Sequence, residues 1–254
     1  MSAARRAVGV IGGMGPDATV DFFAKLVAAS HAALGGAAAR DQDHLRVLID
    51  NDPTVPDRNA AIAGSGPSPA PRLAAMARGL VAAGAELLVM PCNGAHAFAE
   101  AVREAAPEVP FLSLIDTTVE ATLARLATLE RLPEPRAVGL LATDGTLAAR
   151  LYHDAFERAG VRALAPAADD QRALMAAIYD LKSGAADDAT RAAVRAVTER
   201  LAAAGAAAVI AACTEVPLLI REGDVRVAGE ALPLIASTDA LVARTVREAL
   251  GHLA

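Results

Sequence analysis

Met90-Pro91-Cys92-Asn93-Gly94-Ala95-His96 closes a short apolar run, Leu87-Leu88-Val89, and its cysteine stands seven residues after the turn Ala83-Gly84-Ala85. A second segment, Ala211-Ala212-Cys213-Thr214-Glu215, closes another apolar run, and Cys213 follows Ala204-Gly205-Ala206 by the same distance. The chain has only these two cysteines. Two thiols at equivalent places in two halves are the feature around which the rest of the sequence is read.

Working outward, the equivalence extends to a duplication. Leu80-Val81-Ala82-Ala83-Gly84-Ala85 ahead of Cys92 recurs as Leu201-Ala202-Ala203-Ala204-Gly205-Ala206 ahead of Cys213. Ala7-Val8-Gly9-Val10-Ile11 recurs as Ala137-Val138-Gly139-Leu140-Leu141, and Pro110-Phe111-Leu112 with Asp116 recurs as Pro233-Leu234-Ile235 with Asp239. The matches keep their order, which marks an internal repeat rather than a chance of alanine-rich composition.

Short apolar runs closed by glycine or proline read as buried strands, and the amphipathic stretches between them as helices. Strands are expected at 7–11, 46–51, 87–90, 109–114, 137–141, 161–165, 207–211 and 233–236. Helices are expected at 16–33, 72–83, 96–105, 116–129, 146–159, 171–182, 187–204 and 238–250. Pro16 suits a first helical position, where its missing N–H would have had no partner. The segments 35–40 and 52–71 read as loops and Leu132-Pro133-Glu134-Pro135 as a break. Alternation of this kind implies an α/β fold: two similar doubly wound domains with parallel sheets, related by a pseudo-two-fold; if the two halves face each other, the active site falls in the cleft between them. The expected domains are 1–109 with 227–254, carrying Cys92, and 110–226, carrying Cys213. Ligands of such sheets bind beyond the carboxyl ends of the strands, where both cysteines fall.

Composition narrows the function. With 54% hydrophobic and 21% charged residues the 254-residue chain folds around a sizeable core. A net charge of −6, no basic run and 3% aromatics argue against a nucleic-acid partner. No apolar run reaches the roughly 18 residues of a membrane span, and the apolar run after Arg5-Arg6 ends at Gly12-Gly13, too early for a signal peptide. The expected compartment is the cytoplasm, where two cysteines are free thiols.

Two thiols facing one ligand are suited to inverting a carbon centre: one removes a proton from one face while the other supplies a proton to the opposite face. A free thiol has a pKa near roughly 8.5, so a turn or helix N-terminus beside the cysteine is expected to favour the thiolate.

The segments Gly12-Gly13-Met14-Gly15-Pro16, Met90-Pro91-Cys92-Asn93 with Ala95-His96, Leu141-Ala142-Thr143 with Gly145-Thr146, and Ala212-Cys213-Thr214-Glu215-Val216 resemble the cofactor-independent aspartate/glutamate racemases, the aspartate racemase branch above all. The resemblance covers essentially the whole chain and takes in Asn51, Pro56-Asp57-Arg58 and Lys182. It implies an amino-acid racemase acting on aspartate or glutamate, with Cys92 and Cys213 as the catalytic bases, no cofactor, no metal, and a homodimer. It further implies that Arg58 and Lys182 hold substrate carboxylates, that Asn93, Thr143 and Thr214 bind the α-carboxylate, and that Met14, Asn51, Gly94 and Glu215 line the substrate. Gly94 departs from the family, which usually has threonine or serine there, and leaves room for a larger substrate.

Other readings stay open. Either cysteine can be a plain core residue, and Cys92 with His96 has the spacing of half a metal site. His96 can equally donate to a carbonyl or cap a helix. Gly13-Met14-Gly15-Pro16-Asp17-Ala18 fits a loose dinucleotide fingerprint, although Asp50 lies too far on for its acidic partner; a tight turn offering N–H groups to a substrate anion fits better. Arg58 can be a solvated charge, Lys182 can complement a helix dipole, and Glu215 can cap the turn that follows it. The competing functions are another isomerase of the same superfamily, such as a hydantoin racemase or a cis-trans isomerase of an unsaturated diacid, and a nucleotide-dependent oxidoreductase.

Overall fold

The computed structural model describes residues 5–35, 40–129 and 136–251. The chain start before Arg5, the middle of the expected 35–40 loop and the expected break at Leu132-Pro133-Glu134-Pro135 lie outside the described residues. Two compact units are formed, one by the chain up to Thr117 together with Thr238 onward, the other by Thr118–Ser237.

In the first unit, β1 (Val8–Gly12), β2 (Val47–Asn51), β3 (Leu87–Val89) and β4 (Phe111–Leu112) form a parallel sheet of order β2-β1-β3-β4. Every residue of β1 is buried, as expected of a central strand covered on both faces. Helices α1 (Pro16–Ala33), α2 (Arg58–Ile62), α3 (Ala70–Ala82) and α4 (Ala99–Ala105) follow in chain order between these strands, and α5 (Leu114–Leu126) follows β4 and passes into the second unit at Thr118. Ile11 and Leu88 of the sheet share a core with Leu73, Met76 and Leu80 of α3 and Val102 of α4. Burying each such large side chain contributes about 1.5–3 kcal/mol.

The second unit repeats the plan. Strands β5 (Ala137–Ala142), β6 (Arg162–Leu164), β7 (Ala208–Ala212) and β10 (Leu234–Ala236) form a parallel sheet that reads β6-β5-β7-β10. Numbered within its own half, each sheet has the order 2-1-3-4. Helices α6 (Asp144–Ala148), α7 (Leu151–Arg158), α8 (Ala168–Lys182) and α9 (Asp188–Ala203) intervene, the last two packing on the sheet through Leu174, Ile178, Val194 and Leu201. A small antiparallel ribbon, β8 (Arg226–Val227) with β9 (Glu230–Ala231), precedes β10; α10 (Ser237–Leu250) follows β10 and, from Thr238 on, belongs to the first unit.

The repeat holds at the level of individual contacts. A Cβ on Gly9 would fall 2.8 Å from Leu88 Cδ2 and 3.3 Å from Leu80 Cβ, and one on Gly139 would fall 3.0 Å from Leu201 Cβ and 3.2 Å from Val209 Cγ2. Glycine therefore stands at the same point of both central strands because α3 and α9 lie directly against it. Each of these helices ends alike: Gly84 and Gly205 both have φ of 96°, and the next N–H reaches back to the helix, Ala85 to Leu80 O at 3.0 Å and Ala206 to Leu201 O at 3.1 Å. That 6→1 closure requires a left-handed residue, which glycine supplies without a Cβ penalty.

Several elements differ from the sequence expectation. Phe111–Leu112 pairs with β3 and Leu234–Ala236 with β7, so the strands that follow the expected crossings at 109/110 and 226/227 belong to the preceding sheet, and the units divide at Thr117/Thr118 and Ser237/Thr238. The expected 52–71 loop contains α2, capped by the Asp57 carboxylate accepting from Ala60 N–H at 2.7 Å. The helix expected up to Ala159 is broken in two by Arg150, which sits at φ 54°. The β8–β9 ribbon is too short to leave a periodic signature.

Candidate active site

The parallel sheets bring most of the candidate residues to strand carboxyl ends. In the first unit, Met14 follows β1, Asn51 ends β2 opposite Gly12, and Cys92 follows β3 on the neighbouring strand. In the second, Thr143 follows β5 and Cys213 follows its neighbour β7. Both cysteines are free and buried, Cys92 at 7% and Cys213 at 5% exposure.

Cys92 lies in a tight turn, its N–H donating to Met90 O at 2.8 Å, and Asn93 O accepts from His96 N–H at 3.0 Å as the chain enters a 3₁₀ turn over Gly94–Phe98. The buried His96 ring is used on both sides. Its Nε2 lies 2.9 Å from Leu114 N at the start of α5, and its Nδ1 lies 2.8 Å from Cys92 O. A backbone N–H can only donate, so Nε2 accepts and Nδ1 carries the proton it gives to the Cys92 carbonyl. Burial holds this ring neutral and pushes its pKa down to about 4. The two open readings of His96, carbonyl donor and helix cap, are therefore both realised, and neither ring nitrogen is left for a metal.

The rest of the first-unit set is dispersed. Met14 is buried in the core shared by Ile11 and Cys92. Asn51 is exposed at the end of β2. Arg58 is half-buried and folds back on its own loop, Nη1 donating to Val55 O at 3.2 Å and Pro56 O at 3.1 Å. Of the N–H groups of the Gly12–Pro16 turn expected to face an anion, that of Gly13 is instead taken by Thr19 Oγ1 at 2.9 Å. A Cβ on Gly13, at φ 91°, would lie 2.3 Å from the Asp52 carbonyl carbon, so only glycine fits there.

In the second unit Cys213, Thr214, Glu215 and Lys182 converge. Cys213 Sγ donates to Glu215 Oε2 at 2.9 Å, Thr214 Oγ1 donates to the same oxygen at 3.1 Å, and Lys182 Nζ lies 3.3 Å from Glu215 Oε1. Burial pushes the Cys213 thiol well above its ordinary pKa, the Glu215 carboxylate raises it further, and the Lys182 ammonium opposes both. Lys182, at the last turn of α8, is thus engaged with Glu215, and Glu215 holds the cysteine rather than capping the turn after it. Thr143 spends its hydroxyl as the N-cap of α6, accepting from Thr146 N–H at 3.3 Å.

Three residues that the sequence reading passes over shape these edges. Thr19 receives the Gly13 N–H. Asp52 accepts from Thr54 N–H at 2.8 Å and Thr54 Oγ1 at 2.6 Å and pairs with Arg72, contacts that bring its carboxyl down to about 2. Gln171 ties Ala142 O to Asp144 at 3.0 and 2.7 Å. Only Asp52 left a local signal, an acid two residues before a threonine, which is the pattern of an Asx-turn. A concavity of about 1000 Å³ lined by Arg125, Gly205 and Pro233 lies before the amino ends of β7 and β10 and contains none of the candidate residues. Among the described residues no group of three or more His, Cys, Asp or Glu is placed to hold a metal.

An α/β chain with two four-stranded parallel sheets of the same order, each leading from its third strand into a buried free cysteine, has the architecture of the two-domain racemases. The chain belongs to the Asp/Glu/hydantoin racemase family, whose sequence model matches residues 11–245. It is similar to the aspartate racemase of Picrophilus torridus, with 29% identity, a TM-score of 0.75, and coverage of 96% of this chain and 94% of that one. An aspartate racemase homologue from Pyrococcus horikoshii OT3, 23% identical with a TM-score of 0.74 over 96% of this chain and 99% of that one, shares the fold. Among curated proteins, the glutamate racemase of Roseiflexus sp. (strain RS-1) is 32% identical over 184 residues; the alignment takes in 69% of this chain and spans 61% of that relative's length. These named homologues are amino-acid racemases, a class of isomerase. Among the described residues no helix is long and apolar enough to cross a membrane.

Proposed function

We propose that the protein racemises an acidic amino acid, aspartate or glutamate, by a two-base thiol/thiolate mechanism at Cα, without a cofactor. The observation that carries this reading is the equivalence of Cys92 and Cys213, two buried free thiols following the third strand of two sheets with the same order. The family match and the aspartate and glutamate racemases among the homologues support the choice of an acidic amino acid as substrate.

In this mechanism one cysteine, as thiolate, takes the Cα proton; the C–H pair stays on carbon and spreads into the α-carboxyl group. The other cysteine, as thiol, then gives its proton to the opposite face and is left as thiolate. A positioned acid or base is worth about 10² to 10⁴ in rate. Fixed hydrogen-bond donors and cations around the developing carboxylate charge supply the remainder. Asn93, Thr214 and neighbouring backbone N–H groups are assigned to the α-carboxylate and Arg58 to the side-chain carboxylate. Arg58 suits that role because Nε and Nη2 make no hydrogen bond to the described residues. Met14, Asn51, Gly94 and Thr143 are assigned to the wall of the substrate site.

Incubation with L-aspartate or L-glutamate in D₂O tests the reading. Deuterium is expected to replace the Cα proton as optical rotation decays to zero, followed by NMR and polarimetry. Exchange and inversion with neither amino acid, but with a hydantoin, would transfer the chain to the other branch of its family.

The same reading assigns the protein to the reducing cytoplasm, where free thiols persist, and makes it a homodimer. Val20, Phe23 and Val27 give α1 an exposed apolar stripe at 68%, 38% and 41% exposure, the face available for a second copy. Sedimentation equilibrium is expected to give twice the 25.8 kDa chain mass; a monomer at every concentration removes the dimer.

A further inference from the structure

We infer that Glu215 is a positioning residue that keeps Cys213 in its protonated form, so that the resting enzyme carries its proton donor on the Cys213 side. The inference rests on the two-thiol reading for its catalytic meaning, but its geometric basis lies within the second unit alone.

Three contacts around one carboxyl group carry it. Lys182 Nζ lies 3.3 Å from Oε1 and forms an ion pair with the Glu215 carboxylate. An ionised carboxylate only accepts hydrogen bonds. Oε2 lies 2.9 Å from Cys213 Sγ and 3.1 Å from Thr214 Oγ1, so the sulfur must bear the hydrogen it places on Oε2. A thiolate at the same distance would set two anions side by side in a site that is 5% exposed at the cysteine and 4% at the glutamate. Among the described residues of its unit, Glu215 and Lys182 are the charged groups that act on Cys213, and the one in hydrogen-bond contact with it is negative.

The enzyme is therefore built with polarity. In its resting form it accepts the enantiomer whose Cα–H points away from Cys213, and Cys213 delivers the new proton: the S–H bond breaks with its pair staying on sulfur, and a C–H bond forms. The thiolate left behind lies against Glu215, and this repulsion favours recovery of a proton from solvent or from the next substrate molecule. Cys92 has no carboxylate within its turn; the side chain that reaches back to it is the neutral His96.

The test reads the thiol directly and requires no turnover. Iodoacetamide labelling of the full-length protein is followed against pH, with Cys92 and Cys213 separated by peptide mass spectrometry. Glu215→Gln preserves an acceptor for the S–H but removes the negative charge. The expected result is a downward shift of the Cys213 profile by about one pH unit or more, equivalent to about tenfold faster labelling near neutral pH, with the Cys92 profile unchanged. An unchanged or upward-shifted Cys213 profile overturns the inference. Should Glu215→Gln unfold, seen as rapid labelling of both cysteines, Lys182→Met decides. Loss of the ammonium should raise the Cys213 profile and slow its labelling severalfold, and no change would overturn the inference. A shifted profile in a protein that racemises nothing would leave the protonation assignment standing and sink the proposed function; racemisation with unshifted profiles would do the reverse.

Discussion

Changing either cysteine alone to serine is expected to lower kcat/KM for racemisation by about 10³-fold or more. A hydroxyl gives up its proton far less readily than a thiol, so each variant loses one of the two proton-transfer groups, each worth about 10² to 10⁴. The fall must be the same for both enantiomers, because L and D forms have equal free energy and the two kcat/KM values cannot diverge in any variant. What separates the variants is exchange. Cys213→Ser should still wash deuterium into the enantiomer whose Cα–H faces Cys92, without inversion, and Cys92→Ser should do so with the other. NMR of the Cα proton in D₂O alongside polarimetry records both quantities. Full racemisation in either variant defeats the two-base mechanism. Because Cys92 and Cys213 are buried at 7% and 5% exposure, alanine variants are needed as well, to separate lost chemistry from a buried hydroxyl that costs about 1–3 kcal/mol when unpaired.

The second large effect concerns His96 and acid. Its pKa is about 4 in the folded protein against an ordinary 6.5. A histidine with a depressed folded pKa leaves the unfolded chain binding more protons between these values. Its contribution to stability is therefore complete above about pH 6.5, is lost progressively as pH falls, and is gone below about pH 4. The difference corresponds to about 3 kcal/mol. Protonation also abolishes the acceptor at Nε2, so the Leu114 N–H loses its partner and the Cys92 turn its tie to α5. Urea unfolding at several pH values should show this slope in the native protein, and His96→Gln, which does not titrate, should flatten it. His96→Leu should cost about 3 kcal/mol at neutral pH by leaving a buried N–H and a buried C=O unpaired. An unaltered acid slope in His96→Gln would show that the ring is not the source.

Much of the architecture was legible along the chain. The apolar runs at 7–11 and 137–141 and the Ala-Gly-Ala turns seven residues before each cysteine mark the central strands and helix closures of both sheets. They do so because strand burial and left-handed glycine closure are local constraints. That the two thiols occupy equivalent positions in the two halves was legible from the repeat alone. Less legible were the edges. Phe111–Leu112 and Leu234–Ala236 are short, and nothing in them states which sheet they join; their hydrogen bonds to β3 and β7 decide it.

What the sequence determined by itself is the duplicated α/β plan, the family, and the location of both cysteines beyond strand carboxyl ends, since periodicity and turn chemistry act over a few residues. What only the tertiary structure decided is who holds whom. Lys182 meets Glu215, Glu215 meets Cys213, His96 joins Cys92 to Leu114, and Thr19 takes the Gly13 N–H that a substrate anion was expected to use. The hydrogen bonds and ion pairs around the two cysteine segments depend on distances of about 3 Å between groups whose chain separation, 33 residues for Lys182 and Glu215 and 18 for His96 and Leu114, leaves no trace in any local pattern.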